Sequence, residues 1–296
     1  MPSVRNLLKR LRTVKNIRTI TKTMEMAAAA RLFRSNQRLR ASEPVAAEVA
    51  RMLEVVLRLL GPGGHPLLAP GRGDIRALLV LTSDRGLCGG YNNQIGHRAR
   101  HWIDQLQAEG QAPRVSVIGR KGAVLLRSWA AARGLSGALS VQTVREDDAA
   151  AGCGELAAQL AREFVAGGLA SVEVCHMGAP ARGLGRVRVE TLLPLTVERL
   201  PAQSLAPEPP PPVYDFVPDV RAAMEALLPL TLRLRLLNMM LQAFVSEHTA
   251  RLMAMHAATT NADDMIRTLT RRANRARQGR ITSELAEIVS GAESLR

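Results

Sequence analysis

Aromatic residues and cysteines are scarce in this chain of 296 residues. Aromatic side chains make up 3% of the chain, although 47% of it is hydrophobic, which is enough for a core. Cys88, Cys153 and Cys175 are odd in number, far apart and without a CxxC pair, which argues against a disulfide framework or a zinc site. They predict free, partly buried thiols in a reducing compartment.

Long apolar runs and catalytic sets are also missing. No run of about 18 apolar residues occurs, so we expect no membrane-spanning helix, and the N-terminus lacks the apolar segment of a secretory signal. Its basic amphipathic stripe continues to residue 59, which favours mature structure over a transit peptide. The acidic residues at 146–148 and 263–264 predict helix caps or solvated faces, and His97 and His101 lack a third metal ligand.

Acidic residues are nearly absent from the first forty positions. Eleven Lys and Arg residues stand there against Glu25 alone, a net charge of +10 in a chain whose total is +14. Such an excess predicts an acidic partner, and charge alone leaves nucleic acid, anionic lipid and an acidic protein surface as alternatives.

Apolar residues recur at steps of three and four along residues 230–295, the pattern of a helix that packs one narrow face on a partner. The stripe, which includes one polar member, runs through Leu230, Leu234, Leu237, Leu241, Phe244, His248, Leu252, Met255, Ala258, Ala262, Met265 and Leu269. It weakens where six basic residues and no acidic one occur at Arg267, Arg271, Arg272, Arg275, Arg277 and Arg280, and it returns over 281–295. A helix charged on several faces suits a shaft surrounded by other protein.

Residues 3–60 predict a second long helix, with Ser3 as its N-cap and Gly61 to Gly64 as its stop. Pro44 either kinks this helix or begins another. Its predicted stripe runs through Val4, Leu7, Leu11, Val14, Ile17, Ile20, Met24 and Ala27. Because only the two terminal helices are long enough to cover each other's stripes, we expect an antiparallel coiled coil.

The middle of the chain alternates between strand and helix. Strands are predicted at 75–81, 115–118, 139–144, 172–176 and 187–193, with helices at 97–109, about 120–133 and 149–166. This alternation predicts an α/β fold with a mainly parallel sheet. The predicted domains are 1–60 (coiled-coil helix), 74–200 (α/β domain), 201–213 (proline-rich linker) and 214–296 (coiled-coil helix), with Asp219 capping the last helix.

The glycine-rich stretch 82–90 follows the first predicted strand, as a phosphate-binding loop does. It matches neither G-x-G-x-x-G nor the P-loop pattern, and no acidic ribose partner follows. One alternative is therefore a nucleotide-binding α/β enzyme, and the other is a tight turn where the domain touches another surface.

Three blocks carry a resemblance to a known family. They are IRTITKTMEMAAAAR at 17–31, TSDRGLCGGYN at 82–92, and a C-terminal set of SEHTARLMAM at 246–255, NRARQ at 274–278 and ITSELAEIVSGA at 281–292. Together they resemble the gamma subunits of F-type ATP synthases, and they occur in order over the whole chain. The remaining alternative, a basic coiled-coil protein that binds nucleic acid in a salt-dependent way, leaves the 82–92 block unexplained.

The resemblance implies a Rossmann-like middle domain. It also implies a central rotor stalk that couples proton or sodium flow through the c-ring to ATP synthesis or hydrolysis at the alpha/beta catalytic sites. It implies a non-catalytic subunit with no cofactor and no metal, in a hetero-oligomer with alpha, beta, epsilon and the c-ring, and without nucleic acid. It implies a peripheral location on the cytoplasmic face of the bacterial plasma (inner) membrane. The positions implied to contact a beta subunit are Met24, Arg85, Gly86, Arg277, Gln278 and Thr282.

Overall fold

A computed structural model describes residues 4–61, 65–180, 183, 185–195 and 216–293. The predicted linker at 201–213 and the predicted cap at Ser3 lie outside these residues. The helices are α1 (Val4–Leu60), α2 (Tyr91–Ala108), α3 (Arg120–Ala131), α4 (Ala149–Val165) and α5 (Val220–Glu293). The strands are β1 (Ile75–Leu81), β2 (Ala112–Ile118), β3 (Leu139–Gln142), β4 (Ser171–Met177) and β5 (Val187–Leu193).

Tertiary contacts divide the chain into two compact units. The helical unit contains the residues up to 30 and those from 251 onward, whereas the α/β unit contains residues 31–250. Each terminal helix therefore contributes to both units. Within the described residues, none of the helices is apolar enough over a sufficient length to cross a membrane.

In the helical unit, the two helix segments run antiparallel. Three side-chain contacts show this direction, because the residue number rises along α1 as it falls along α5: Arg18 to Asp263 (2.7 Å), Thr21 to Thr259 (2.9 Å) and Glu25 to His256 (3.1 Å). The antiparallel pairing predicted from the apolar stripes is present in this unit.

The seam of α1 differs from the predicted stripe. Leu7, Val14, Thr21 and Ala28 are buried at intervals of seven, whereas Ile17, Ile20, Met24 and Ala27 are exposed. On α5, Met265 is likewise exposed, and its neighbour Ile266 is half-buried. The prediction was wrong at these positions because two of the true seam residues on α1, a threonine and an alanine, carry little hydrophobic signal. A strict seven-residue repeat is typical of a coiled-coil seam.

The last turns of α5 have no partner among the described residues of this unit. All described side chains from 277 to 290 are exposed, including Ile281, Leu285 and Ile288. The three contacts that pair α1 with α5 place the start of α1 near residue 277 of α5, so the last turns of α5 extend beyond its mate.

In the α/β unit, the sheet has the order β3-β2-β1-β4-β5. The first four strands are parallel, and β5 is antiparallel to β4 at one edge. One face packs on α4 and on segments of α1 and α5, through residues such as Leu53, Leu79, Val174, Leu160 and Leu236. The other face packs on α2 and α3, through residues such as Val80, Cys175, Ile95, Ile103 and Leu126. A doubly covered parallel sheet explains why β1 is apolar and buried without interruption from Ala77 to Leu81.

The α5 segment inside the α/β unit is buried on more than one side. Leu228, Leu232 and Leu236 join the core beneath the sheet, whereas Leu241 and Val245 pack with Leu39 of α1 in a separate cluster. The sequence predicted one narrow apolar face, and the structure shows a helix enclosed by two neighbours over this length.

Local signals at the helix ends had mixed outcomes. The Asp219 carboxylate accepts the Ala222 N–H at 2.8 Å, so it caps α5 as predicted. Helix α1 is continuous through Pro44, and α2 begins at Tyr91, six residues before the predicted start at 97.

All three cysteines are fully buried rather than partly buried, and burial raises the pKa of Cys153 and of Cys175 to about 12.

Candidate contact sites on the β1 loop and the paired helices

The β1 loop, residues 82–90, leaves the carboxyl end of β1 and leads into α2. Its backbone is held by one side chain from α2: the Asn92 Oδ1 accepts the Ser83 N–H at 3.0 Å, and Asn92 Nδ2 donates to Ser83 Oγ at 2.7 Å and to Cys88 Sγ at 3.3 Å. Leu87 adopts a left-handed φ of 63° and leaves 58% of its surface exposed. The loop is therefore a rigid feature that presents an apolar tip.

The β1 loop also caps the N-terminus of α3. Asp84 Oδ1 accepts the Arg120 N–H (3.1 Å), the Ser83 carbonyl accepts the Lys121 N–H (3.0 Å), and Thr82 Oγ1 accepts the Gly122 N–H (3.2 Å). Free N–H groups at a helix N-terminus bind phosphate in many α/β proteins. Because protein acceptors already occupy these three, the geometry argues against a phosphate site at this helix and favours the tight-turn alternative.

Thr82→Val tests how much this capping stabilises the α/β unit. Thr82 Oγ1 is buried, donates to the Ile118 carbonyl at 2.8 Å and accepts from the Gly122 N–H. Valine keeps the side-chain shape but leaves the Gly122 N–H unpaired, whereas the Ile118 carbonyl keeps its bond from the Thr82 backbone N–H. We expect the free energy of unfolding to fall by about 2 kcal/mol. Urea unfolding followed by tryptophan fluorescence measures it, since Trp102 and Trp129 both lie in this unit.

Thr143→Val is the matched control for this variant, because Thr143 is exposed in the same unit. We expect its free energy of unfolding to stay within about 0.5 kcal/mol of that of the parent chain. Equal losses for the two variants would show that the β1 loop does not depend on the Thr82 hydroxyl.

The paired helices expose many large apolar side chains. In the helical unit, those with between 37% and 69% of their surface exposed are Leu8, Ile17, Ile20, Met24, Met26, Met253, Met265, Ile281, Leu285 and Ile288. An apolar surface of this kind marks a protein–protein contact. The α1 segment of the unit is also strongly basic, with Glu25 as its one acidic residue between 4 and 30.

Polar contacts cross the seam of the same unit. Glu25 Oε1 lies 3.1 Å from His256 Nδ1 and 3.1 Å from Lys22 Nζ, and its side chain is largely enclosed. The hydrogen bond with His256, followed by the one from Lys22, lowers the pKa of Glu25. Together with the Thr21–Thr259 hydroxyl pair, this contact sets one register for the two helices, as a polar residue in a coiled-coil seam does.

The predicted contact residues are divided between the two units. Met24, Arg277, Gln278 and Thr282 belong to the helical unit and are exposed, and the Thr282 hydroxyl donates to the Gln278 carbonyl at 3.0 Å. In the α/β unit, Arg85 is exposed and Gly86 is half-buried in the β1 loop. All six basic residues between 267 and 280 are exposed, on a stretch where burial is confined to Ala273 and to a few half-buried neighbours. A contact role for the six positions stays a prediction.

Sequence analysis missed a polar cluster formed by Ser35, Glu146 and His248. The Ser35 hydroxyl donates to Glu146 Oε1, and His248 Nε2 lies 3.0 Å from Glu146 Oε2. Glu146 was expected to cap or solvate a helix, and that expectation is wrong because its carboxylate faces inward between α1 and α5. A histidine and a serine at buried positions of two apolar stripes were the only sequence signals for it.

Comparison with known proteins identifies the family. The family model described as ATP synthase matches residues 3–295. The ATP synthase gamma chain of Saccharopolyspora erythraea is 37% identical over 314 aligned residues, covering 100% of this chain and 98% of the relative. That of Fuscovulum blasticum is 38% identical over 299 aligned residues, with both chains fully covered. The chain belongs to the ATP synthase gamma-chain family.

The fold of this chain also matches that of a chain in a solved ATP synthase structure. A chain of the Euglena gracilis mitochondrial ATP synthase, in an assembly of OSCP, F1 and c-ring, matches with a TM-score of 0.62 over 99% of this chain and 94% of that one. The two sequences are 15% identical, so this likeness shows the shared fold. The predicted family and fold class are thus confirmed, and as a member of the gamma-chain family the chain is a component of an ATP synthase.

Proposed function

We propose that this chain is the central rotor stalk of an F-type ATP synthase, which couples ion flow through the c-ring to ATP synthesis or hydrolysis by rotation. The observation that carries the proposal is the helical unit, a two-helix coiled coil that is apolar and basic on its outside. A pair of helices with that surface needs a surrounding protein, and a ring of alpha and beta subunits supplies one.

The mechanism follows from the asymmetry of the two helices. At each angle the coiled coil presents a different set of side chains to three equivalent beta subunits, so each subunit is stabilised in a different state. Rotation and the state of each catalytic site are then linked by the difference in contact free energy between states. Arginine suits such contacts because it stays charged and donates to carboxylates in a bidentate way.

The proposed contact residues to beta are Met24, Arg85, Gly86, Arg277, Gln278 and Thr282. The chain acts without catalytic residues or a cofactor of its own, since the chemistry takes place on alpha and beta. We place the α/β domain, residues 74–200, on the epsilon subunit and the c-ring, with the helices 1–60 and 214–296 as the stalk and 201–213 as a linker. The assembly lies on the cytoplasmic face of the bacterial plasma membrane.

Co-expression with alpha and beta subunits tests the proposal. We expect a stable complex that contains all three chains and hydrolyses ATP. Adding epsilon and the membrane sector is expected to couple that hydrolysis to ion transport. A chain that purifies without alpha and beta would contradict the proposal, and steeply salt-dependent binding of duplex DNA would support the nucleic-acid alternative instead.

A further inference from the structure

The cluster of Ser35, Glu146 and His248 joins three elements of the α/β unit at one point. Ser35 belongs to α1, His248 to α5, and Glu146 begins the short helical turn Glu146–Asp148 between β3 and α4. In addition, Arg38 of α1 donates to the Glu146 carbonyl at 3.0 Å and pairs with Asp147 at 3.3 Å. A single turn therefore contacts both terminal helices through side chain and backbone.

This cluster is largely enclosed. The His248 side chain is 4% exposed and the Glu146 side chain 24%. Burial by itself would raise the pKa of Glu146, but the hydrogen bonds from His248 and Ser35 and the charges of His248 and Arg38 outweigh it, so the pKa of this carboxyl is lowered. Removing one partner of such a half-buried carboxylate is costly, because the group that remains has lost its hydrogen bond.

Charged groups from every neighbouring element face the same cleft, which has a volume of about 320 Å³. From α1 and α5 they are Arg31, Arg34, Arg38 and Glu247. From the β1 loop and the segment after β3 they are Asp84, Arg85, Arg145 and Asp147.

We propose that Ser35, Glu146 and His248 form a clasp that fixes both terminal helices to the sheet of the α/β unit. The two oxygens of the Glu146 carboxylate contact different helices: Oε1 accepts from the Ser35 hydroxyl of α1, and Oε2 lies 3.0 Å from His248 Nε2 of α5. Removing one member therefore leaves the others without a hydrogen-bond partner in a largely enclosed site.

Thermal unfolding of the full-length chain tests the clasp. The variants are Glu146→Gln, His248→Gln and the pair together, since glutamine keeps much of the shape of both side chains. We expect each single variant to lower Tm by about 3 °C and the double variant to lower it little further, because either change already breaks the contact between Glu146 and His248.

Asp148→Asn is the matched control, because Asp148 lies in the same short turn, is exposed, and pairs with Arg145 at 4.0 Å rather than with His248. Its Tm is expected to stay within about 1 °C of the parent chain. Losses that add fully in the double variant, or that Asp148→Asn reproduces, each overturn the clasp. If Glu146→Gln does not fold, Ser35→Ala takes its place; an unchanged Tm for Ser35→Ala overturns the clasp as well.

A role of the clasp in transmitting torque rests on the proposed rotor function. In the assembled ATP synthase, His248→Gln is expected to lower the number of protons pumped per ATP hydrolysed, and Asp148→Asn is not. If the Tm values support the clasp but proton pumping is unchanged, the torque role is overturned and the clasp stands. Failure of the chain to assemble with alpha and beta overturns the rotor function instead, whatever the melting result.

Discussion

Gly119→Ala is expected to lower the free energy of unfolding of the α/β unit by about 3 kcal/mol or more. Gly119 has a φ of 104°, which L-residues rarely adopt, and it joins β2 to α3. A Cβ at this position would lie 2.3 Å from the Thr82 carbonyl oxygen and 2.6 Å from its carbon. Backbone atoms cannot move aside without breaking the Thr82 N–H bond to Ile118 (2.8 Å), so strain and overpacking add.

Two glycine variants separate strain from overpacking. Gly110 has a φ of 71° and open space around its Cβ position, so Gly110→Ala is expected to cost about 1 kcal/mol from strain alone. Gly137 also has open space and no positive φ, so Gly137→Ala is expected to be neutral within about 0.5 kcal/mol. Urea unfolding followed by tryptophan fluorescence ranks the three. A Gly119→Ala midpoint equal to that of Gly110→Ala would show that the β2–α3 turn can move away from β1.

Replacing Arg277 and Gln278 together by alanine is expected to leave assembly of the complex intact and to lower ATP-driven proton pumping about tenfold. Both residues are exposed on the part of α5 that extends beyond its mate, so their removal leaves the coiled-coil seam unchanged. A charge-assisted hydrogen bond contributes about 1.5–3 kcal/mol, and a loss of about 1.4 kcal/mol of differential contact energy is a tenfold effect on a rate.

Arg272→Ala is the control for that double variant. Arg272 is exposed on the same helix and is absent from the proposed contact set. Both variants remove one arginine, so they change the net charge by the same amount. Its pumping rate is expected to stay within about twofold of the parent complex. Unchanged turnover and pumping in the double variant would reject a contact role for Arg277 and Gln278, and equal losses in both variants would reduce that role to net charge.

The terminal helices could be predicted from the sequence because their apolar periodicity is long and strong. The residues of the α1 seam could not, since Thr21 and Ala28 lie in it whereas Ile17 and Ile20 lie outside it. Apolar side chains stay exposed there, and hydrophobicity alone assigns such residues to the wrong face. When a helix also binds other subunits, the face that its partner helix covers need not be its most apolar face.

The polar parts of the structure depend on long-range contacts that no local pattern reveals. Capping of α3 by the β1 loop requires β1 and β2 to be adjacent, and the clasp between Glu146 and His248 joins residues 102 positions apart. The alternation of strands and helices predicted the parallel sheet, but the order β3-β2-β1-β4-β5 depends on packing that only the folded chain defines.

Observation of single complexes during ATP hydrolysis is the most direct test of the rotor function. The alpha and beta subunits are fixed to a surface, and a visible probe is attached to the α/β unit at an exposed position such as Ser128. The account predicts that the probe rotates in one direction and pauses at three positions, one for each beta subunit. A probe that stays at a fixed angle, or only fluctuates, while the same complexes hydrolyse ATP would contradict it.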